Sequence, residues 1–247
     1  MVAAAAIFLC VSAGFNWELT RFAETTPELK PRTLHAPMGG MEPVVADILW
    51  MRCIQFMGTS HDLSERERIA RIHRQFDLIT RLDPKFYLAY RFGVLNLFVR
   101  APERALSLVD RGLTCMSPKE YDWRLPFYGA FICYQYLETE GRYERSLKYV
   151  RYTAGTGSTP GFVRRFEPLV LERKEELEEA LEVWERLHRK SDSVMDRRVI
   201  RHHLIRVARQ VIDRDVSPEL TRRAEAVLQR LNVPVSQPSD RREGVVE

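Results

Sequence analysis

The sequence predicts an all-α fold, an α-solenoid of stacked helix hairpins, and three observations carry that prediction. First, residues 85–118 read as two helices: Tyr90, Gly93, Val94 and Leu97 recur at helical spacing, then Leu106, Val109 and Leu113 do so. Ala101-Pro102-Glu103 separates them, because proline stops one helix and its fixed φ suits the first turn of the next. Second, the second helices of successive hairpins align. Ile72, Ala105, Ser146 and Ala180 share one slot at steps of 33, 41 and 34 residues, and Phe76, Val109, Val150 and Trp184 fill a larger apolar slot one turn on. Third, charged residues make up 29% of the chain, which fits helices with solvated outer faces.

The 247 residues suffice for one sizeable domain or two small ones, and a net charge of +4 permits an acidic partner without demanding one. The opening MVAAAAIFLCVSAGF carries no charge. It is shorter than the roughly 20 apolar residues of a full span and lacks the basic leader of a secretory signal. Residues 1–22 are nonetheless expected to be an anchor or export segment rather than a core helix, because 23–40 is a linker rich in Pro, Thr and Gly. The expected location is the inner, cytoplasmic membrane. Arg21, Lys30 and Arg32 compete with Glu18, Glu24 and Glu28 in the flank, which leaves the side of the domain open with a lean toward the periplasm.

Residues 41–57 form one amphipathic helix on Val44, Val45, Ile48, Leu49, Cys53, Ile54 and Met57. Residues 63–82 form the next, with Ser64 as its cap, Ile69, Ile72, Phe76 and Ile79 as its stripe, and Asp83-Pro84 as its end. An aromatic helix over 121–140 follows the central hairpin, Gly141 turns the chain, and 143–154 answers it. A loop over 155–161, a short helix over 162–173 and a helix over 174–190 complete the repeats. Residues 191–232 contain a capping pair, 194–212 and 218–231, the latter started by Ser217-Pro218. The tail, 233–247, is polar and expected to be disordered.

These residues resemble the tetratricopeptide repeat superfamily, whose period is about 34. The match rests on Phe92-Gly93 with Ala105, on Ile72, Phe76, Ile79 and Pro84 one repeat earlier, and on Trp50-x2-Cys53-Ile54-x2-Met57. Gly141-x-Tyr143-x2-Ser146 and Ala180-x3-Trp184 mark the later repeats, so that the resemblance covers 41–190. Ile72 stands where a small residue is usual, an insertion follows Met57, and extra chain lies near 118–123. The Gly-Gly turn before Ala46-Asp47-Ile48-Leu49-Trp50 is also similar to membrane-anchored bacterial repeat proteins of unassigned function. The resemblance implies a right-handed solenoid.

No catalytic constellation emerges. Gly155, Gly157 and Gly161 lack the following Lys-Ser/Thr and preceding strand of a phosphate loop. His202 and His203 are adjacent on a helix and point to different faces, and no nucleophile has an evident activator. The four cysteines show no metal or disulfide spacing: Cys53 and Cys133 read as buried thiols, and Cys115 with Cys133 stays open as a pair. The expectation is therefore a non-enzyme with no cofactor and no metal. Arg197, Arg198, Arg201, Arg206 and Arg209 make the last long helix basic, but no nucleic-acid module accompanies them.

Aromatic residues crowd the first helices beyond what one buried stripe needs. First helices line the hollow of stacked hairpins, where Tyr and Trp act as anchors. The expected partner-binding residues are Met51, Gln55, Tyr90, Tyr128, Phe131, Gln135 and Arg165, with Val94 and Glu138 on the same face. The expected role is an adaptor that holds another protein at a membrane. A permanent structural subunit of a membrane complex is the alternative, and nucleic acid or anionic lipid on the basic helix a third.

Overall fold

A computed structural model describes residues 40–59, 63–157 and 159–235. The expected N-terminal segment, its linker up to residue 39 and the tail beyond residue 235 lie outside the described residues. The described chain is all-helical. Its described residues divide into two compact units: those of 40–140 with 152–156, and those of 141–151 with 157–235.

The first unit contains α1 (Glu42–Thr59), α2 (Glu65–Leu82), α3 (Tyr87–Leu97), α4 (Pro102–Cys115) and α5 (Arg124–Gln135), each packed on the next. Ser64 caps α2 as expected, and reciprocally. The Glu67 N–H donates to Ser64 Oγ at 3.4 Å, and the Ser64 N–H donates to Glu67 Oε2 at 3.2 Å. At the end of α2 the chain turns extended at Asp83 before Pro84, and Pro102 begins α4.

Glycines let these helices approach closely. A Cβ on Gly93 of α3 would lie 2.7 Å from Leu108 Cδ1 and 2.9 Å from Phe76 Cγ. One on Gly112 of α4 would meet Leu125 Cδ2 at 2.9 Å and Tyr90 Cδ1 at 3.2 Å. The core between these crossings holds Phe76, Ile79, Tyr90, Leu97, Ala105, Leu106, Leu108 and Val109, all without solvent exposure. Cys53 and Cys133 are buried thiols, and burial pushes Cys53 up to about 12. Cys115 is an exposed free thiol, so it does not pair with Cys133 here.

Most of α6 (Arg142–Ala154) belongs to the second unit, with α7 (Gly161–Arg164), α8 (Phe166–Arg173), α9 (Leu177–Lys190), α10 (Val194–Arg214) and α11 (Pro218–Arg230). Helices α8 to α11 pack in chain order. Trp184 of α9 is fully buried, its ring stacked 4.7 Å from that of His203 on α10. Its Nε1–H donates to Glu172 at 2.7 Å, and Arg206 donates to the other oxygen of that carboxylate at 2.5 Å. The buried carboxylate of Glu185 accepts from Arg223 at 2.9 Å and from Arg230 at 2.6 Å, tying α9 to α11. Ser193 and Ser217 cap α10 and α11.

Three expected boundaries move. The helix expected over 162–173 divides at Arg165, because Pro168 has no N–H to bond the Arg164 carbonyl. The helix expected from residue 174 begins at Leu177. Glu175 takes a left-handed φ of 67°, and the Glu176 N–H reaches back to the Leu171 carbonyl at 3.0 Å, a Schellman ending without glycine. The helix expected over 121–140 shrinks to Arg124–Gln135, where the Asp122 carboxylate accepts the Arg124 N–H at 2.8 Å.

Candidate functional site

The helices of the first unit differ in charge. Of the eighteen residues of α2, eight are charged, whereas α3 carries only Arg91 and α5 only Arg124. Helix α3 hides Ala89, Tyr90, Gly93, Val94 and Leu97. On its opposite side Leu88, Phe92 and Leu95, with Val99 just past its end, are 54, 42, 41 and 52% exposed. A helix that is apolar on both sides belongs in an interior, yet the outer side of α3 faces solvent. Met41, Val44, Met51 and Ile54 are likewise exposed at the start and along the length of α1.

A cleft of about 210 Å³ lies between α3 and α5, lined by Val94, Leu95, Phe98, Phe127, Tyr128, Phe131 and Ile132. Its rings brace one another. Phe127 stacks on Phe131 at 6.3 Å, Phe131 meets Tyr136 edge-on at 6.0 Å, and Tyr136 meets Phe98 at 5.4 Å. Trp50 supports the neighbouring surface from α1, its ring 5.3 Å from that of Phe92.

Beside this surface, the Arg91 guanidinium lies over the Tyr87 ring at 5.6 Å. The Tyr87 hydroxyl donates to Asp122, which also accepts from Arg124. Burial and the Asp122 charge raise the Tyr87 phenol above its ordinary value. Burial works against Asp122, but its hydrogen bonds hold it below the usual carboxylate range. Arg91 Nε is buried and has no acceptor among the described residues, and no carboxylate among them pairs with Arg91.

The expected binding residues are sorted by this geometry. Tyr128 and Phe131 line the cleft together, and Val94 forms part of its floor. Gln135 is exposed at the end of α5, with Met51 and Gln55 exposed on α1. Tyr90 is a correction: it is not accessible but fully buried, with its hydroxyl donating to the Thr80 and Pro84 carbonyls, both at 3.3 Å. It lies on the side of α3 that packs against α4, where Gly112 leaves room for its ring. Arg165 belongs to the second unit and pairs there with Asp196, so it is no part of the cleft.

Leu88, Leu95 and Phe98 are absent from the sequence expectations, Phe92 enters them only as a repeat position, and Phe127 only as one of the aromatic residues crowding the first helices. Their signal is present, since Leu88, Phe92, Leu95 and Val99 follow one another at steps of 4, 3 and 4 residues.

The basic helix α10 spends several of its arginines internally, Arg214 on Glu175 at 3.4 Å among them. Arg197 donates to the Ser191 carbonyl at 2.7 Å, Arg201 to the Leu231 carbonyl at 2.9 Å, and Arg206 to Glu172. Among the described residues no cluster of His, Cys, Asp and Glu is placed to hold a metal ion. No described helix is long and apolar enough to cross a membrane. No protein-family model matches this chain, and no curated protein does either.

Proposed function

We propose that this chain is a helical-repeat adaptor, a right-handed solenoid of hairpins like the tetratricopeptide repeats, that holds a segment of a partner protein on its first helices. One observation supports this above the rest: the bare apolar side of α3, continuous with the aromatic cleft against α5. Exposed apolar patches of this kind mark interaction surfaces. Binding there needs shape and a few aromatic anchors, with no chemistry performed. The adaptor works at the inner membrane, to which residues 1–22 tether it.

The test compares the full chain with the Leu95→Glu variant, each purified from native membranes. A partner recovered with the first and lost with the second supports the reading. Equal recovery with both refutes it. The apolar exposure on α1, far from the cleft in sequence, favours a second reading, a permanent subunit of a membrane complex. A stoichiometric companion that survives high salt distinguishes the subunit from the adaptor.

A further inference from the structure

We propose that the cleft between α3 and α5 takes one bulky apolar side chain from an amphipathic helix of the partner, and that a carboxylate one turn away on that helix pairs with Arg91. This rests on the adaptor reading and specifies its ligand. Three features of the surface select this occupant.

Size comes first. Small-molecule pockets run to roughly 300–1,000 Å³. A cleft of about 210 Å³ lined by aliphatic and aromatic side chains is matched to a single large side chain. Spacing comes second. Leu88, Phe92, Leu95 and Val99 follow the 4-3-4 rhythm of a helix seam, which packs knobs of a second helix into its holes. Strand addition needs an exposed sheet edge, and the described residues are all helical.

Charge comes third. Arg91 stands seven residues before Phe98, on the same side of α3 as the cleft and about one turn from Val94 and Leu95. Its guanidinium lies over the Tyr87 face, and among the described residues it forms no ion pair with a carboxylate. The neighbouring carboxylate, Asp122, is already engaged by Tyr87 and Arg124. A half-exposed guanidinium with no carboxylate partner among the described residues, beside an apolar cleft, selects a carboxylate, which it can bind with charge-assisted hydrogen bonds. The occupant therefore carries Asp or Glu three or four residues from its anchoring side chain, so that both lie on one helix face.

The test is a selection from a random 16-residue peptide display library on the full chain held in zwitterionic nanodiscs, with the Leu95→Glu variant as counter-selection. Enriched peptides are expected to share a bulky apolar residue with Asp or Glu three or four positions away. A synthetic peptide of that sequence should bind Arg91→Glu at least tenfold more weakly, and its Lys-substituted form should prefer that variant. Circular dichroism and thermal unfolding of each variant establish that it is folded. Enrichment of peptides without the acid, equal binding by Arg91→Glu, or no enrichment at all overturns the proposal. If the acid rule fails while Leu95→Glu still loses the native partner, the adaptor reading stands without this ligand. If Leu95→Glu keeps that partner, the adaptor reading fails as well.

Discussion

Arg111 of α4 donates to the Asp77 carboxylate of α2 at 2.5 Å and to the Thr80 hydroxyl at 2.9 Å, a link between residues 34 apart in sequence. Arg81 holds the other carboxylate oxygen at 2.8 Å. Burial works against the Asp77 charge, but the two guanidinium groups overcome it and hold the carboxyl below its ordinary value. Removing one partner of a buried pair costs roughly 3–5 kcal/mol. With side-chain exposures of 22 and 25% here, Asp77→Ala is expected to cost about 2–3 kcal/mol by urea unfolding. In a double-mutant cycle, Arg111→Ala and Asp77→Ala should couple rather than add. Since the folded value is depressed, this stability is present above the ordinary aspartate range and lost as pH falls through the folded value. A wild-type acid limb that is unchanged in Asp77→Asn would remove this account.

The glycine crossings supply the second prediction. Ala is the better helix former by about 1 kcal/mol. At Gly93 the added methyl nonetheless meets Leu108 and Phe76 below 3.0 Å, and overpacking costs about 1–3 kcal/mol. Gly93→Ala should therefore be destabilising by thermal unfolding. Gly58→Ala, with nothing within 4 Å of its Cβ, should be neutral or stabilising. Ala105→Leu, at a site without exposure, should cost about as much as Gly93→Ala. If Gly93→Ala raises the melting temperature as Gly58→Ala does, the close crossing is not the constraint.

Burial of His203 makes the second unit sensitive to acid. The ring lies flat against Trp184, and desolvation, helped by Arg206, pulls its pKa down to about 4. The neutral ring is thus the folded form, while the unfolded chain takes up a proton near the ordinary value of 6.5. Stability from this group is complete above that ordinary value and declines as pH falls toward 4. Glu172 works the other way, because burial raises its pKa and its protonation favours the folded state as pH falls. The difference in stability between wild type and His203→Gln isolates the histidine. It should shrink progressively from pH 7 to pH 4, and a pH-independent difference would show that the ring is not held neutral by folding.

The all-α class was legible because each signal was local. Ser64, Pro102 and Ser217-Pro218 announce helix starts, and the structure begins helices there. The break at Arg165 and the turn at Glu175 were not legible. Pro168 lies inside an otherwise helical pattern, and a left-handed helix ending on Glu carries no glycine to mark it. Tyr128 and Phe131, expected on the hollow's face, line the cleft, whereas Tyr90, expected beside them, is fully buried. The cause is periodicity on a helix apolar on two sides: with both stripes apolar, spacing alone does not say which packs on α4. The neighbours decide. Gly112 opens a space for the Tyr90 ring, and the two carbonyls at Thr80 and Pro84 satisfy its hydroxyl.

That reassignment yields the last prediction, which separates stability from binding. Tyr90 is fully buried and its hydroxyl is hydrogen-bonded, so Tyr90→Ala leaves a cavity beside Gly112 and should cost about 3–5 kcal/mol of stability. Trp184→Ala should cost a similar amount, about 3–5 kcal/mol, with the Glu172 carboxylate losing the indole donor at 2.7 Å. Tyr128 and Phe131 are only half-buried at the cleft. Their alanine variants should stay within about 1 kcal/mol of wild-type stability while weakening partner binding by about 1–2 kcal/mol. Urea unfolding and titration of the co-purified partner, measured on all four variants, give both quantities. Tyr90→Ala that folds normally yet fails to bind would return Tyr90 to the surface. Tyr128→Ala and Phe131→Ala that unfold while the folded fraction still binds would make the cleft part of the core, with no site left between α3 and α5.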